Sequence, residues 1–238
     1  MTEVMNSDSF KSINKIEFWN SKIIEWENDR YSKHVHSIIS DSVNNRMLLA
    51  FNMIKHCSKD MIVVEVGCGT ARLMPLLLGL GVRKYIGIDF SHCAIEAARE
   101  RAEELGAFSR VDLIQEDITK LKTIKADLCF SLGLLDWLTD QEICLLLKNI
   151  KTRYYLHSFS EKIMNVEQVL HRIYVYLKYG YKTKTYIPRY YERNQIDTIF
   201  TQCGFENQAY CTNNRMNFSC FAYNLPLKYN ESECKNIF

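Results

Sequence analysis

The residues of this chain best suited to chemistry surround two glycines after its first apolar run. Residues 63–66 read Val-Val-Glu-Val, and Gly67, Cys68 and Gly69 follow directly. This pattern predicts a buried strand that carries the acidic Glu65 near its end, then a tight turn and a helix. Glycine lets a backbone pass close to a ligand because it has no Cβ. Parallel sheets bind ligands at their carboxyl edge, so the sequence predicts a ligand site at Glu65 and the Gly-Cys-Gly turn.

The turn differs from that of a dinucleotide site. The dinucleotide fingerprint has glycine at its first, third and sixth positions, and Arg72 occupies the sixth position here. Glu65 lies two residues before the first glycine, where its charge would repel a pyrophosphate and attract a cation. A ligand with a positively charged amino group therefore fits the turn better than a dinucleotide does.

Two further carboxylates follow apolar runs. Asp89 ends the second run, where a carboxylate can accept hydrogen bonds from both ribose hydroxyls of a nucleoside. Asp117 and Ile118 follow a third run over residues 111–114. The carboxylate of Asp117 can bind the amino group of an adenine, and Ile118 can pack on its ring. An amine, a ribose and an adenine together describe S-adenosylmethionine.

With these motifs in order, the chain resembles the class I, seven-strand S-adenosylmethionine-dependent methyltransferases over residues 43–223. The resemblance rests on four segments: residues 65–69, Asp89 with Phe90 and Ser91, Asp117 with Ile118, and the Asp-Leu-Cys-Phe-Ser run of residues 127–131. It implies an α/β fold with a doubly wound, mostly parallel seven-stranded sheet and a C-terminal antiparallel hairpin. It also implies methyl transfer, with S-adenosylmethionine as cofactor and S-adenosylhomocysteine as product. One departure is Ala71, where many members have a third glycine.

The resemblance implies further cofactor residues. In the ubiquinone-type O-methyltransferases, an arginine in the helix before the first strand reaches the methionine carboxylate. Arg46 has that place, nineteen residues before Glu65, although it could equally be a solvated helix residue. Tyr31 belongs to the N-terminal segment that often folds over the cofactor in similar proteins. The expected cofactor set is Tyr31, Arg46, Glu65, Gly67, Cys68, Gly69, Asp89, Phe90, Asp117, Ile118, Ser131 and Leu132.

Methylation of a hydroxyl or an amine requires that a proton be removed. His157, at the end of the fifth predicted strand, is the first candidate for the base, and a purely structural histidine is the alternative. The other candidates are Tyr191, Asp136, Tyr190 and His171. Asp136 is the one carboxylate close after the fourth strand, so the carboxylate cluster of metal-dependent methyltransferases is missing and we expect no metal. The Ser-Leu-Gly-Leu run at 131–134 also lacks the Asn/Asp-Pro-Pro-aromatic turn of DNA amino-methylases.

One domain with four parts accounts for the chain. These are an N-terminal helical cap (1–42), a cofactor-binding core (43–158), an acceptor lid (159–192) and a C-terminal helix with the hairpin (193–238). Within the lid, apolar residues spaced by three and four predict an amphipathic helix over 162–178 whose apolar face packs inward. A dimer surface stays open for this segment, and its interleaved lysines and tyrosines would also suit nucleic acid.

Composition limits the partners. The 238 residues carry a net charge of +2, which disfavours nucleic acid as the partner. No apolar run approaches the ~20 residues of a membrane span, and the polar N-terminus lacks a secretory signal, so we expect a cytoplasmic protein. The nine cysteines are scattered, and we expect free thiols such as Cys68, Cys93 and Cys129 without a disulfide or zinc framework. The sequence favours O- or N-methylation of a small molecule. Alternatives are an RNA or protein methyltransferase and a cofactor-binding protein without turnover.

Overall fold

A computed structural model describes residues 15–31, 38–163, 165–177, 187–227, 229 and 234. Its helices are α1 (Lys15–Tyr31), α2 (Ile38–Ile54), α3 (Met74–Gly79), α4 (His92–Glu104), α5 (Asp140–Asn149), α6 (Val166–Val175) and α7 (Arg193–Gln202). Its strands are β1 (Ile62–Val66), β2 (Lys84–Asp89), β3 (Val111–Gln115), β4 (Ile124–Lys125), β5 (Leu128–Ser131), β6 (Ile150–Lys151), β7 (Tyr154–Ser160), β8 (Ala209–Thr212) and β9 (Ser219–Tyr223).

Seven of the strands form one sheet in the order β3-β2-β1-β5-β7-β9-β8. The first five of these are parallel, and β9 runs antiparallel to both β7 and β8. The predicted fold class, a mostly parallel seven-stranded sheet with a C-terminal antiparallel hairpin, is confirmed. The strand order reverses between β1 and β5, and ligands of open α/β sheets bind at such a switch point.

Hydrophobic cores cover both faces of the sheet. Val63 packs into the core under α2 and α3, whereas its neighbours Val64 and Val66 pack into the core under α5 and α7. Successive side chains of a strand point to opposite faces, so each inner strand feeds both cores. This explains the near-continuous apolar runs of the sequence, because a strand covered on both faces has no polar side.

Local signals at two helix starts match the sequence. The Ser91 hydroxyl accepts a hydrogen bond from the Ala94 amide and begins α4. Thr139 and Glu142 form the predicted capping box of α5, in which each side chain bonds the other residue's backbone amide. Such caps satisfy amides that have no partner inside the helix.

Two cysteines overturn the expectation of a chain without disulfides. Cys211 of β8 is bonded to Cys234, which follows it by 23 residues. Cysteine spacing alone cannot show which thiols meet in space. Cys234 follows the hairpin and lies beside the end of β8, where the Asn213 side chain donates to the Cys234 carbonyl at 2.7 Å. Cys68, Cys93 and Cys129 are free thiols, as expected.

The helix of the predicted lid is the second correction. The expected helix over 162–178 is observed as α6, and residues 164 and 178–186 lie outside the described part of the chain. Its apolar side chains face outward: Val166 is 75% exposed, Leu170 61% and Leu177 68%. The expectation that this face packs inward is therefore wrong. The inward side is occupied instead by the buried Gln168.

Candidate functional site

A cavity of about 240 Å³ opens at the carboxyl edge of the sheet, at the switch point between β1 and β5. Its walls come from the loops after β1, β2, β3 and β5, from α1 and α2, and from the segments around α6 and β9. Ten of the twelve expected cofactor residues line it: Arg46, Glu65, Gly67, Cys68, Gly69, Asp89, Phe90, Asp117, Ile118 and Leu132.

The turn after β1 passes close to the neighbouring strand. The amides of Gly67 and Cys68 both donate to the carbonyl of Ile88, at 2.8 and 3.1 Å. Gly67 and Gly69 have φ of +66° and +53°, a region that favours glycine. Ala71 has the same left-handed conformation, with φ of +53°. The backbone at the third-glycine position is therefore left-handed in this chain too, and alanine adopts this conformation at some cost in strain.

Glu65 is fixed by the neighbouring strand. The Tyr85 hydroxyl donates to Glu65 Oε2 at 2.5 Å, and both side chains are buried. Burial, together with the negative charge of Glu65, raises the pKa of Tyr85 well above its ordinary value. The tyrosine therefore stays protonated and remains a donor. This contact holds the carboxylate at the floor of the cavity.

Asp89 ties the glycine turn to the start of α4. Its Oδ2 accepts from the Gly69 amide at 3.0 Å, and its Oδ1 accepts from the Ser91 amide at 2.9 Å. A carboxylate offers about four acceptor positions, and each of its two oxygens takes one of these amides. The arrangement fits the predicted contact with both ribose hydroxyls.

The loop after β3 supplies the third carboxylate. Asp117 Oδ1 accepts from both the amide and the hydroxyl of Thr119, each at 2.8 Å. These bonds orient the side chain beside Ile118, and both residues line the cavity with Phe90. Two apolar side chains and a carboxylate at one end of the cavity suit a ring that carries an amino group.

Arg46 approaches the site from α2. It is 9% exposed and lines the cavity, and its Nε has no hydrogen-bond partner among the described residues. A Cβ on Gly133, which has φ of +73°, would lie 2.9 Å from Arg46 Nη2. The left-handed backbone conformation favours glycine at 133, and a side chain there would displace the end of the Arg46 side chain. The positive charge of Arg46 also opposes the burial that raises the pKa of Asp136.

Asp136 marks the far end of the cavity, beyond β5. Ser160 binds both of its carboxylate oxygens: the amide donates to Oδ1 at 2.6 Å and the hydroxyl to Oδ2 at 2.8 Å. Burial raises the pKa of Asp136 to about 6, although these bonds and Arg46 act in the opposite direction. Near neutral pH, a small change in surroundings can therefore decide whether this carboxyl is charged.

Tyr190 and His171 form a second polar pair at the same end. The Tyr190 hydroxyl is 2.6 Å from His171 Nδ1, and both residues line the cavity. Burial, reinforced by the charge of Asp136, raises the pKa of Tyr190 to about 12. The guanidinium of Arg172 lies 4.8 Å from the centre of the tyrosine ring. The phenol is thus protonated at neutral pH and is bonded to an imidazole.

Three expected site residues are not part of the cavity wall. His157 is fully buried on the opposite face of β7, where Nδ1 lies 2.9 Å from Ser131 Oγ and the ring stacks on Tyr155. Burial lowers the pKa of His157 to about 3, so it is neutral. Tyr191 is buried too, and its hydroxyl donates to the Leu138 carbonyl at 3.0 Å. The geometry therefore does not support a base role for His157 or Tyr191, nor cofactor contact by Ser131.

The first helix contributes residues that the sequence did not single out. Lys15, Trp19 and Ile23 of α1 line the cavity, and the Trp19 ring meets the edge of Trp137 at 5.1 Å. The amphipathic pattern of the N-terminal segment was the available signal, but it did not show which residues face the cofactor. The expected cofactor residue Tyr31 ends α1, and its side chain lies outside the described part of the structure.

The described residues include no group of three or more His, Cys, Asp or Glu side chains arranged to hold a metal ion. None of the helices described above has the length and apolarity needed to cross a membrane.

Comparison with known proteins agrees with this geometry. Residues 63–153 match a family model described as a methyltransferase domain. Among curated proteins, the ribosomal protein L11 methyltransferase of Haemophilus influenzae (strain PittEE) is 39% identical over 69 residues, which are 29% of this chain. The chain spans only 23% of that relative's length.

Solved structures are similar along more of the chain. Magnesium protoporphyrin IX methyltransferase from Synechocystis PCC 6803, with bound SAH, matches with a TM-score of 0.68 and 18% identity, covering 87% of this chain and 96% of that one. An O-methyltransferase from neocarzinostatin biosynthesis, in complex with SAM and a naphthoic acid, gives a TM-score of 0.58 and 14% identity, covering 87% and 59%. Residues 63–153 thus match a methyltransferase domain, and the chain shares its fold with solved methyltransferases that were crystallised with SAM or SAH.

Proposed function

We propose that this protein transfers the methyl group of S-adenosylmethionine to an oxygen or nitrogen atom of a small-molecule acceptor. The observation that carries the proposal is one continuous cavity with two chemically different ends. One end has the glycine turn with Glu65, Asp89 and Asp117, and the other has Asp136 and the Tyr190–His171 pair. Methyl transfer is an in-line displacement, so it needs donor and acceptor in one enclosed space.

The first end fits the cofactor piece by piece. Glu65 offers negative charge to the amino group, Asp89 offers acceptor positions to the ribose, and Asp117 with Ile118 and Phe90 suits the adenine. The unsatisfied Nε of Arg46, buried in the wall, is a donor for the methionine carboxylate. When bound, the cofactor supplies a methyl group that its sulfonium has already activated.

The second end fits the removal of a proton from an acceptor hydroxyl or amine. Tyr190 is protonated and bonded to His171, so it can take the acceptor's proton while passing its own to Nδ1 of the imidazole. Asp136, with a pKa of about 6, is the alternative base at this end. Of the candidate residues from the sequence, these three line the cavity, whereas His157 does not.

Enclosure favours a small acceptor. The side chains of Lys15, Trp19 and Ile23 border the cavity from α1, and Pro188, Tyr190 and His171 border it from the segment around α6. A cavity bordered from both sides admits a small molecule more readily than a folded protein or an RNA. The likeness to the ribosomal protein methyltransferases covers only 69 residues of this chain and carries no information on the acceptor end.

Calorimetry with purified protein tests the cofactor assignment. Wild type should bind S-adenosylmethionine and S-adenosylhomocysteine, and it should not bind NAD. Asp89→Ala should weaken binding at least tenfold, because it removes two hydrogen bonds to a charged acceptor, each worth ~1.5–3 kcal/mol. Asp112→Ala is the matched control, since this carboxylate lies on the neighbouring strand and pairs with Lys84 at the surface. Unchanged affinity in Asp89→Ala would remove Asp89 from the site, and tight NAD binding would overturn the assignment.

Label transfer tests the acceptor class. Tritium from methyl-labelled cofactor should enter the small-molecule fraction of a cell extract and not its protein or RNA fractions. Label found mainly in protein or RNA would contradict the small-molecule proposal while leaving methyl transfer intact. The labelled small molecule can then be purified and used as the acceptor in kinetic experiments.

A further inference from the structure

Two of the free cysteines lie side by side where α5 packs against α7. Cys144 belongs to α5, and Cys203 follows the last residue of α7. The Cys203 thiol donates to Cys144 Sγ with the two sulfur atoms 2.7 Å apart, although 59 residues separate the cysteines in the sequence. A disulfide brings two sulfur atoms to about 2.05 Å, so this pair needs only a small approach to become bonded.

The packing of the two helices keeps these sulfur atoms together. Both cysteines pack against the core that α5 and α7 share. Leu147 of α5 and Phe200 of α7 are buried in that core. The Cys144 thiol also contacts the backbone of α7, where it donates to the Ile199 carbonyl at 3.8 Å. The folded chain thus brings the two thiols together before any bond forms between them.

The surroundings of the pair suit a reaction better than a metal site. Cys144 and Cys203 are half-buried, unlike the buried thiols of Cys129 and Cys220, so a small reagent can approach them from solution. A structural zinc ion takes four ligands. The described residues provide no third His, Cys, Asp or Glu side chain that would complete such a site with this pair.

We propose that Cys144 and Cys203 form a second, reversible disulfide by exchange with a low-molecular-weight disulfide such as oxidised glutathione. The Cys144 thiolate attacks one sulfur of that molecule, and a mixed disulfide forms at Cys144 while one small thiolate leaves. The Cys203 thiolate then attacks the sulfur of Cys144 and releases the second small thiolate. Two protein thiols are oxidised and one small disulfide is reduced to two thiols, so protons and electrons balance.

The order of the two attacks follows from the surroundings of Cys203. Burial and the neighbouring Cys144 raise the pKa of Cys203 to about 12, and the positive charge of Lys148 opposes this only in part. Cys203 therefore keeps its proton near neutral pH, and the first attack belongs to Cys144. Once Cys144 is in the mixed disulfide, its thiol no longer raises the pKa of Cys203, which makes the second attack easier.

The bond would close a loop that contains the acceptor end of the cavity. Residues 144–203 include β7 with Ser160, α6 with His171, and Tyr190, and these three side chains line the cavity. A crosslink across a long loop mainly restricts the unfolded chain, so the oxidised protein should be more stable than the reduced one. Neither cysteine lines the cavity, so the proposal does not depend on the proposed function.

Thiol counting and peptide mapping test the bond. The protein has seven free cysteines besides the Cys211–Cys234 disulfide. The purified native protein is incubated with oxidised glutathione at mildly alkaline pH, then unfolded, alkylated and digested. Wild type should lose two thiols, and its digest should contain a peptide that joins Cys144 to Cys203. Its melting temperature should rise by about 5–10 °C, and excess reduced glutathione should reverse the rise.

Three variants separate this pair from the other thiols. Cys57→Ala is the matched control, because it removes another half-buried thiol, one that donates to the Ile54 carbonyl. It should form the crosslink like wild type. Cys203→Ser should stop at the mixed disulfide on Cys144, and neither it nor Cys144→Ser should gain thermal stability.

Two results would overturn the proposal. One is a wild-type digest without the peptide that joins Cys144 to Cys203. The other is a rise in melting temperature that is equal in wild type and Cys144→Ser. Mapping of wild type needs no variant, so the test holds even where a serine variant does not fold.

Discussion

Tyr190 keeps its proton at neutral pH, and its hydrogen bond to His171 decides whether it can act as a base. A phenol with a pKa of about 12 is a poor base by itself. His171 changes this, because Nδ1 lies 2.6 Å from the hydroxyl and can accept the phenolic proton while the oxygen takes another from the acceptor. Two protons then move over one hydrogen-bond length each, and the positive charge ends on the imidazole.

Replacing Tyr190 with phenylalanine should separate catalysis from binding. We expect kcat of Tyr190→Phe to fall ~10²–10⁴-fold, the range for loss of a general acid or base, with cofactor affinity unchanged. Tyr191→Phe is the control, because the adjacent tyrosine bonds to backbone carbonyls and does not line the cavity. That variant should lose thermal stability and keep its turnover. Steady-state kinetics with the acceptor identified by label transfer, beside calorimetry and melting curves, provides the comparison. Turnover retained in Tyr190→Phe and lost in Asp136→Asn would assign the base to Asp136.

At the scale of elements, α1 is attached on both sides of the cavity. Lys15 pairs with Glu142 of α5 at 2.7 Å, and the side-chain oxygens of Asn20 and Ser91, the latter at the start of α4, are 2.8 Å apart. Burial alone would raise the pKa of Glu142, but bonds from Lys15 and Thr139 hold it below its ordinary value. The same carboxylate thus caps α5 and holds α1. Trp19 lies between these two attachments and lines the cavity.

Removing the Trp19 ring should loosen the cofactor. Trp19→Ala deletes the edge contact with Trp137 and part of the cavity wall, so we expect cofactor affinity to fall about tenfold, the equivalent of ~1.4 kcal/mol. Most of the change should be in the dissociation rate, which stopped-flow fluorescence can measure. Lys22→Ala on the same helix removes only an exposed pair with Glu25 and should leave both quantities unchanged. Equal dissociation rates in wild type and Trp19→Ala would show that α1 does not retain the cofactor.

Elements were predictable where their signals are local. The apolar runs gave the strands, and Ser91 and Thr139 marked two helix starts, because a cap depends on residues within one turn. The direction in which each element points its side chains was harder to predict from the sequence. In β7, Ser160 contacts Asp136 at the cavity, whereas His157 points to the opposite face of the sheet. Because β7 is buried on both faces, polar and apolar residues do not alternate along it, and the sequence does not show which side chains face the cavity. Apolar spacing likewise identified the stripe of α6 but not what it packs against.

On the scale of the whole molecule, the two cores that sandwich the sheet tolerate few polar side chains. His157 is one of them, enclosed beside Tyr155 and Phe200 and bonded to Ser131. Its ordinary pKa of 6.5 falls to about 3 in the folded protein because burial opposes the charged form. Between these two values the unfolded chain binds a proton that the folded protein does not. Stability therefore rises with pH through this range, and it is lost as pH falls from 6.5 towards 3.

A non-titrating substitution isolates this contribution. The glutamine of His157→Gln can keep a hydrogen bond to Ser131, but it does not titrate. Near pH 7 the variant should be less stable than wild type, because glutamine packs less well than the ring. As pH falls below 6.5, wild type should lose up to about 1.4 kcal/mol per pH unit more than the variant, and the two stabilities should converge. Asp136, whose raised pKa of about 6 makes folding less favourable as pH rises from 3.8 to 6, acts with the opposite sign but cancels in the difference between the two proteins. Urea unfolding of both proteins from pH 4.5 to pH 7.5 measures this difference in the free energy of unfolding. A stability difference that stays constant over this range would mean that His157 is charged or solvated in the folded state, and the base role would then be open again.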